Sequence, residues 1–221
     1  LRHKSARVTV YQGTNKLNIV RDQVGAKGYA IGFARLVGYI NNQLPANEVI
    51  GQALRHDVRM YPEIAIRELV ANALIHQDLD VSGMSVDIEI YSDRIVISNP
   101  GRPIISEDRF IDGYQSRNEL LADMMRRLGI CEEKGSGIDR VISDIEIFQL
   151  PALEFRLEPG RTSAILYVHK DFKAMNKQDK IRACYQHCCL RYVTNLPTNN
   201  ESVRERFKLT VAQSETATRI I

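Results

Sequence analysis

The sequence predicts an α+β chain: a two-layer sandwich with helices over a mixed, mostly antiparallel sheet, followed by a small all-α helix-turn-helix unit of the winged-helix kind, truncated. Three observations carry that expectation. Residues 63–79, EIAIRELVANALIHQDL, read as a helix that is apolar almost all the way round. Residues 85–91 alternate strictly in strand fashion, 94–98 follow as another such run across a tight turn, and 154–168 form a second hairpin-like pair of short runs. At 171–177 the composition turns polar and charged, and short capped helices follow.

A chain of 221 residues can bury one substantial core with a small satellite. Its 30 Lys and Arg stand against 27 Asp and Glu, so a nucleic-acid partner must be argued from where the basic residues lie, not from net charge. No apolar run approaches the roughly 20 residues of a membrane span, and no signal peptide is visible, so no membrane partner is expected. The chain opens at Leu1 in a basic stretch, which reads as a fragment cut from something longer. Four cysteines at this length make no disulfide framework. Cys184, Cys188 and Cys189 cluster with His187 but lack the second ligand pair of a zinc site, and a reducing, cytoplasmic setting is expected.

Along the chain, residues 1–18 contain a short strand, with Val8, Val10 and Gln12 alternating against Arg7, Thr9 and Tyr11, then a turn at Gly13-Thr14-Asn15. This could be the tail of a preceding domain. Residues 28–44 read as a helix, with Ile31, Ala34, Leu36, Val37 and Ile40 near helical spacing and Pro45 ending it. Residues 49–61 read as an extended connection. Pro62 then sits at a helix start, where its missing N–H costs little.

Within 63–79 one narrow arc interrupts the apolar surface. Glu68, Asn72 and His76 stand at successive i, i+4 steps and line a single edge. A solvent-facing helix carries a broad polar face, so a thin edge suits a buried helix whose polar stripe lines a cavity. An ordinary Glu–Asn pair at a surface seam has the same spacing. The residue types suit a nucleotide site, since Glu can hold an attacking water and Asn can offer its carbonyl oxygen to Mg2+.

Residues 78–83 form a turn. Val86, Ile88 and Ile90 then share one strand face, and Ser92-Asp93 turns the chain into RIVIS at 94–98, a hairpin expected to cover the helix. Asn99-Pro100-Gly101-Arg102-Pro103 is a rigid turn. Residues 104–117 show no period, and a loop of that length in a compact domain is usually functional or mobile. Residues 118–128 read as an amphipathic helix closed by Gly129. Gly135-Ser136-Gly137 opens another helix, whose free N–H groups suit phosphate, although a plain loop also accounts for a lone GxG. Residues 154–157 and 164–168 join across Pro159-Gly160 as a last hairpin of the same sheet.

Beyond the linker, residues 180–194 read as a helix with Ile181, Cys184, Cys188 and Tyr192 among its inward candidates. Pro197-Thr198-Asn199-Asn200 caps ESVRERF, and KLTVAQS leads to ETATRII with Ser214 as N-cap. Helix, turn, helix is the layout of a DNA-reading unit and of many plain three-helix bundles. The chain stops at Ile221 inside the expected recognition helix, and a truncated unit without its following wing is expected.

In register, RELVANALIHQDL at 67–79, IEIYSDRIVISNPG at 88–101, SRNELLADMMRRLG at 116–129 and EEKGSGIDRV at 132–141 resemble a known family. It is the GHKL-like (Bergerat) ATP-binding module of bacterial and archaeal transcriptional regulators and helicase-related proteins. There a Schlafen-type, AlbA-like domain precedes a module similar to the gyrase, heat-shock chaperone, histidine kinase and mismatch-repair ATPases, and a winged helix often follows. The likeness covers roughly residues 60–170 and, more loosely, the helix-turn-helix. With it the domains are expected at 1–24 (tail of an N-terminal domain), 25–170 (ATP-binding), 171–177 (linker) and 178–221 (partial winged helix).

The resemblance implies roles. Glu68 matches the water-activating glutamate and Asn72 the Mg2+-binding asparagine. Asn99-Pro100-Gly101 falls at the family's Asp-x-Gly-x-Gly turn, where Asn99 replaces the adenine-reading aspartate and Pro103 the second glycine. Gly135, Ser136 and Gly137 fall at the glycine-rich segment that closes over the phosphates, with 104–117 as the neighbouring lid, and His76 joins the expected nucleotide-binding set. Asn99 can accept only through a neutral carbonyl, and its NH2 must point elsewhere, which implies weaker adenine recognition. No GxxxxGK[ST] is present, so the helicase label gains no support from this chain. The function expected is an ATP-responsive, DNA-binding transcriptional regulator that takes ATP or ADP with Mg2+. Its DNA contacts are expected from Arg204, Arg206, Lys208 and Arg219, and a homodimer is among its expected partners. Two alternatives stand beside it: a Mg-dependent ATPase with Glu68 as general base, and a degenerate module serving only as scaffold or dimerisation domain.

Overall fold

A computed structural model of the chain describes residues 4–50, 55–111, 113, 115–131 and 137–220. In order the elements are β1 (Arg7–Tyr11), β2 (Ile19–Val24), α1 (Tyr29–Gln43), β3 (Ala46–Ile50), β4 (Arg55–Arg59), α2 (Glu63–His76), β5 (Asp87–Ile90) and β6 (Arg94–Pro100). There follow α3 (Glu119–Arg127), α4 (Gly137–Ile147), β7 (Glu154–Glu158), β8 (Arg161–Tyr167), α5 (Lys177–Val193), α6 (Asn200–Arg206) and α7 (Ser214–Thr218).

Period-two alternation builds the main sheet, six strands in the order β2-β1-β5-β6-β8-β7. β1 and β5 run parallel; the other neighbouring pairs are antiparallel. Val8, Ile88, Ile90, Ile95, Ile97, Ala164 and Leu166 turn to one face and share a core with α1 to α4. α2 is the centre of that core, buried on most of its circumference as its composition requires. Each large aliphatic side chain placed there stabilises the fold by about 1.5–3 kcal/mol. The expected two-layer arrangement of helices over a mixed, mostly antiparallel sheet is what the chain adopts.

Several local expectations differ from the structure. The segment 1–24, expected as the tail of another domain, supplies β1 and β2, which form one edge of this same sheet. Residues 49–61 are not a plain extended connection, since β3 and β4 pair as a separate two-stranded antiparallel sheet. In α1 the inward face is Phe33, Val37 and Ile40, while Ile31 is 73% exposed. Phe33, Val37 and Ile40 fall on one side of the helix, whereas Ile31, two residues and about 200° of rotation before Phe33, falls on the opposite side.

A second, smaller core holds Ala152, Met175, Ala183, Cys184, Val203, Phe207, Leu209 and Ala217. Asn176 and Asn199 cap α5 and α6 with reciprocal capping boxes. Ile181 and Tyr192, expected to face inward on α5, are exposed, because Gln186 and His187 are the side chains anchored to the rest of the molecule. Ser214 does not cap α7. A 3-10 turn at Val211–Gln213 runs straight into that helix, and the Ser214 hydroxyl donates to Asn200 Oδ1 at 3.0 Å instead.

Candidate functional site

The polar edge of α2 lines a cleft enclosing about 1160 Å³, mouth included, between the helix layer and the sheet. Glu68 is 1% exposed, whereas Asn72 and His76 are half-buried. A helix this apolar is covered on most of its circumference, and the cleft is where its polar stripe is accommodated.

Strand register supplies the floor. Ile95, Ile97 and Asn99 alternate onto the inward face of β6, and β8 sets Leu166, Ala164 and Thr162 opposite them. Phe155 of β7 pairs with Ala164 and lies on that face too. Asn99 is buried, and its Nδ2 donates to His76 O at 3.4 Å and Pro100 O at 3.1 Å. Its amide hydrogens are therefore committed to the backbone, and the carbonyl oxygen is its remaining polar atom.

Gly101 follows with φ +99°, a backbone that favours glycine. A Cβ there would lie 2.9 Å from Asp78 Cβ. The turn is tied on three sides: Asp78 N–H donates to Pro100 O and Gly101 N–H to Gly160 O, both at 2.8 Å, and Thr162 Oγ1 donates to Gly101 O at 2.8 Å. Arg117 closes over it, donating to Arg102 O at 2.6 Å and pairing with Asp78 at 3.4 Å. Asn118 Nδ2 bonds Ile75 O and Gln77 O, at 2.7 and 2.8 Å, satisfying carbonyls that end α2. Burial, with Arg117 nearby, holds the His76 imidazole below its ordinary range, so it is neutral near pH 7.

The far wall is the start of α4. A Cβ on Gly137 would sit 3.2 Å from Glu68 Oε2 and 3.8 Å from Asn72 Nδ2. Glycine thus lets the first turn of α4 approach both polar groups of α2. Gly135 and Ser136 lie outside the described residues. Phe110, from the 104–117 segment, meets Phe155 edge-on at 4.6 Å and lines the cleft with Ile104 and Ile105.

The structure therefore brings Glu68, Asn72, His76, Asn99 and Gly137 onto one cleft, with Gly101 holding the turn beneath it. Thr162, Phe155, Phe110 and Arg117 were not singled out from the sequence. Only the register that aligns β6, β7 and β8 brings the first two to the cleft. Nothing in the local pattern marks the others.

The basic candidates divide. Lys208 and Arg219 are exposed, and Arg204 is half-exposed with its Nε donating to Asn200 Oδ1 at 3.0 Å. Arg206 is 4% exposed and turned inward. Its Nη2 donates to Leu150 O at 2.9 Å and its Nε lies 3.4 Å from Glu146, so it is not placed to meet a phosphate outside the molecule. His187 bonds Glu146, and burial pushes the Cys184 thiol up to about 11, so it stays protonated. Among the described residues no three His, Cys, Asp or Glu gather as a metal site.

A family model described as "Putative ATP-dependent DNA helicase recG C-terminal" matches residues 83–166, the stretch from just before β5 to near the end of β8. Glu68 and Asn72 lie outside the matched stretch. Among solved structures, the DIP2311 protein from Corynebacterium diphtheriae is similar with a TM-score of 0.69 at 17% sequence identity. The likeness covers 99% of this chain and 47% of that one, so this chain spans about half its length. At that identity it shows a shared fold. No curated protein matches. Among the described residues no helix is long and apolar enough to cross a membrane.

Proposed function

We propose that the cleft binds ATP or ADP with Mg2+, and that occupancy alters how the α5–α7 unit is presented to DNA. The observation that carries this reading is the meeting of Glu68 and Asn72 with the first turn of α4, above a floor that holds Asn99. Each residue present suits the ligand. Asn72 offers a hard carbonyl oxygen to Mg2+, which is commonly held by few protein groups together with phosphate oxygens and water. The amide N–H groups opening α4 suit phosphate, and the Asn99 carbonyl suits an amino group on the base. Bound Mg2+ would offset the negative charge of the phosphates. Exposed Lys208 and Arg219, with Arg204 beside them, are the proposed DNA backbone contacts.

Calorimetry with Mg2+-ATP and Mg2+-ADP tests the reading. A dissociation constant between about 1 µM and 1 mM is expected. No heat at millimolar Mg2+-ATP would sink it and leave a scaffold role.

A second reading, hydrolysis, is favoured by the near-complete burial of Glu68 beside Gly137. There Glu68 would take a proton from the attacking water. Glu68→Gln should then lower phosphate release by about 10²–10⁴-fold with binding retained. Equal release from both proteins would remove Glu68 from that role.

A further inference from the structure

The two ends of α4 meet different parts of the molecule. Gly137 packs on Glu68 and Asn72 in the cleft. At the other end Glu146 accepts from His187 Nδ1 of α5, 3.0 Å from each carboxylate oxygen, and faces Arg206 Nε of α6 at 3.4 Å. His187 and Arg206 are 5% and 4% exposed, so these contacts are screened from water. Just beyond α4, Arg206 Nη2 holds Leu150 O. Gln186 brackets Leu153, donating to its carbonyl at 2.7 Å and accepting from its N–H at 3.1 Å. Helices α5 and α6 are thus both fastened to one short stretch, residues 146–153.

Stability alone is a poor reason for such a cluster, since well-packed apolar side chains would serve as well as a buried ion pair. What charged, hydrogen-bonded groups add is direction: the contact holds only while donor and acceptor keep their geometry. α4 has 11 residues, so it is about 16 Å long. Val141, Ile142 and Ile145 bury its inner face, and a packed helix moves as a body rather than bending to absorb a shift.

We propose that α4 transmits the state of the cleft to the C-terminal helices. Gly137 and the first turn shift when the cleft is filled, and the Glu146–His187–Arg206 contact carries that shift into α5 and α6. The inference rests on the nucleotide-pocket reading above and specifies its coupling. It also gives the inward turn of Arg206 a role that a DNA contact does not. A competing route runs through the 104–117 segment, where Phe110 lines the cleft while Arg109 and Ile111 line a groove beside Tyr185 and Tyr192 of α5.

Hydrogen–deuterium exchange of the whole chain over α5 and α6, with and without saturating Mg2+-ATP, separates the routes. In the unmodified chain the nucleotide should change exchange there by at least about fivefold. Glu146→Gln removes the charge that faces Arg206. A Glu146→Met, Arg206→Met double variant keeps the volume without any polar contact, and it decides the matter if the single variant does not fold. Both should bind Mg2+-ATP within about threefold of the unmodified chain yet lose most of the α5–α6 response. An undiminished response in a folded variant overturns the proposal in favour of the 104–117 route. Binding without any α5–α6 response in the unmodified chain also overturns it, and leaves the pocket reading intact. Absence of Mg2+-ATP binding to the unmodified chain sinks the pocket reading, and this inference with it.

Discussion

Replacing Asn72 with alanine is expected to lower Mg2+-ATP affinity by about 100-fold, an upper-range loss for a group that orders a metal site. The described residues gather no acidic cluster on the cleft, so few protein oxygens are available to share the load. Asn72 lines the cleft and is half-buried, so truncating it opens little new void. Alanine is also a better helix former than asparagine, and the melting temperature should stay within about 3 °C. Calorimetry with Mg2+ and again with EDTA reads the effect. The deficit should appear with the metal and shrink without it, and Asn72→Asp, which keeps an oxygen ligand, should recover much of the binding. Loss of equal size in EDTA would mean that Asn72 acts on the nucleotide or the fold rather than on a metal.

Gly101→Val should be the most destabilising single change around the cleft, by about 3–4 kcal/mol. Two costs combine. At φ +99° a β-branched side chain is strained, and its Cβ would meet Asp78 Cβ at 2.9 Å. The three hydrogen bonds around the turn leave it little room to relax. Thermal unfolding should show a fall of roughly 10 °C for a chain of this size. Gly160→Val is the matched control, with φ +75° but nothing within 4 Å of its Cβ. A similar loss from both variants would show that backbone conformation alone, not the approach of Asp78, sets the cost.

The burial of the central helix was legible, because a segment apolar on nearly every side must be covered. Its polar edge fitted a cavity wall or a surface seam equally well, and only the folded chain set it on a cleft. Asn99 was legible from its turn, and its amide orientation from hydrogen-bond bookkeeping. Thr162 and Phe155 came to light only with the register of β6, β7 and β8, since two hairpins each fix their own alternation but not their alignment with each other. β1 was read as a strand, but its parallel partner β5 lies on the far side of α1 and α2 in the chain. No local pattern announces such a pairing.

The sequence by itself determined where apolar period and turn residues place helices and strands, and that one helix edge carries Glu68, Asn72 and His76. Tertiary structure decided which side of each short element faces inward. In a seven-residue helix Arg204 and Arg206 are equally plausible outward residues. Only Glu146 and the Leu150 carbonyl, brought close by packing, draw Arg206 inside. The physical reason is the reach of the interactions: hydrophobic periodicity is written over a few turns of chain, whereas a buried charge is placed by partners remote in sequence that only the folded chain assembles.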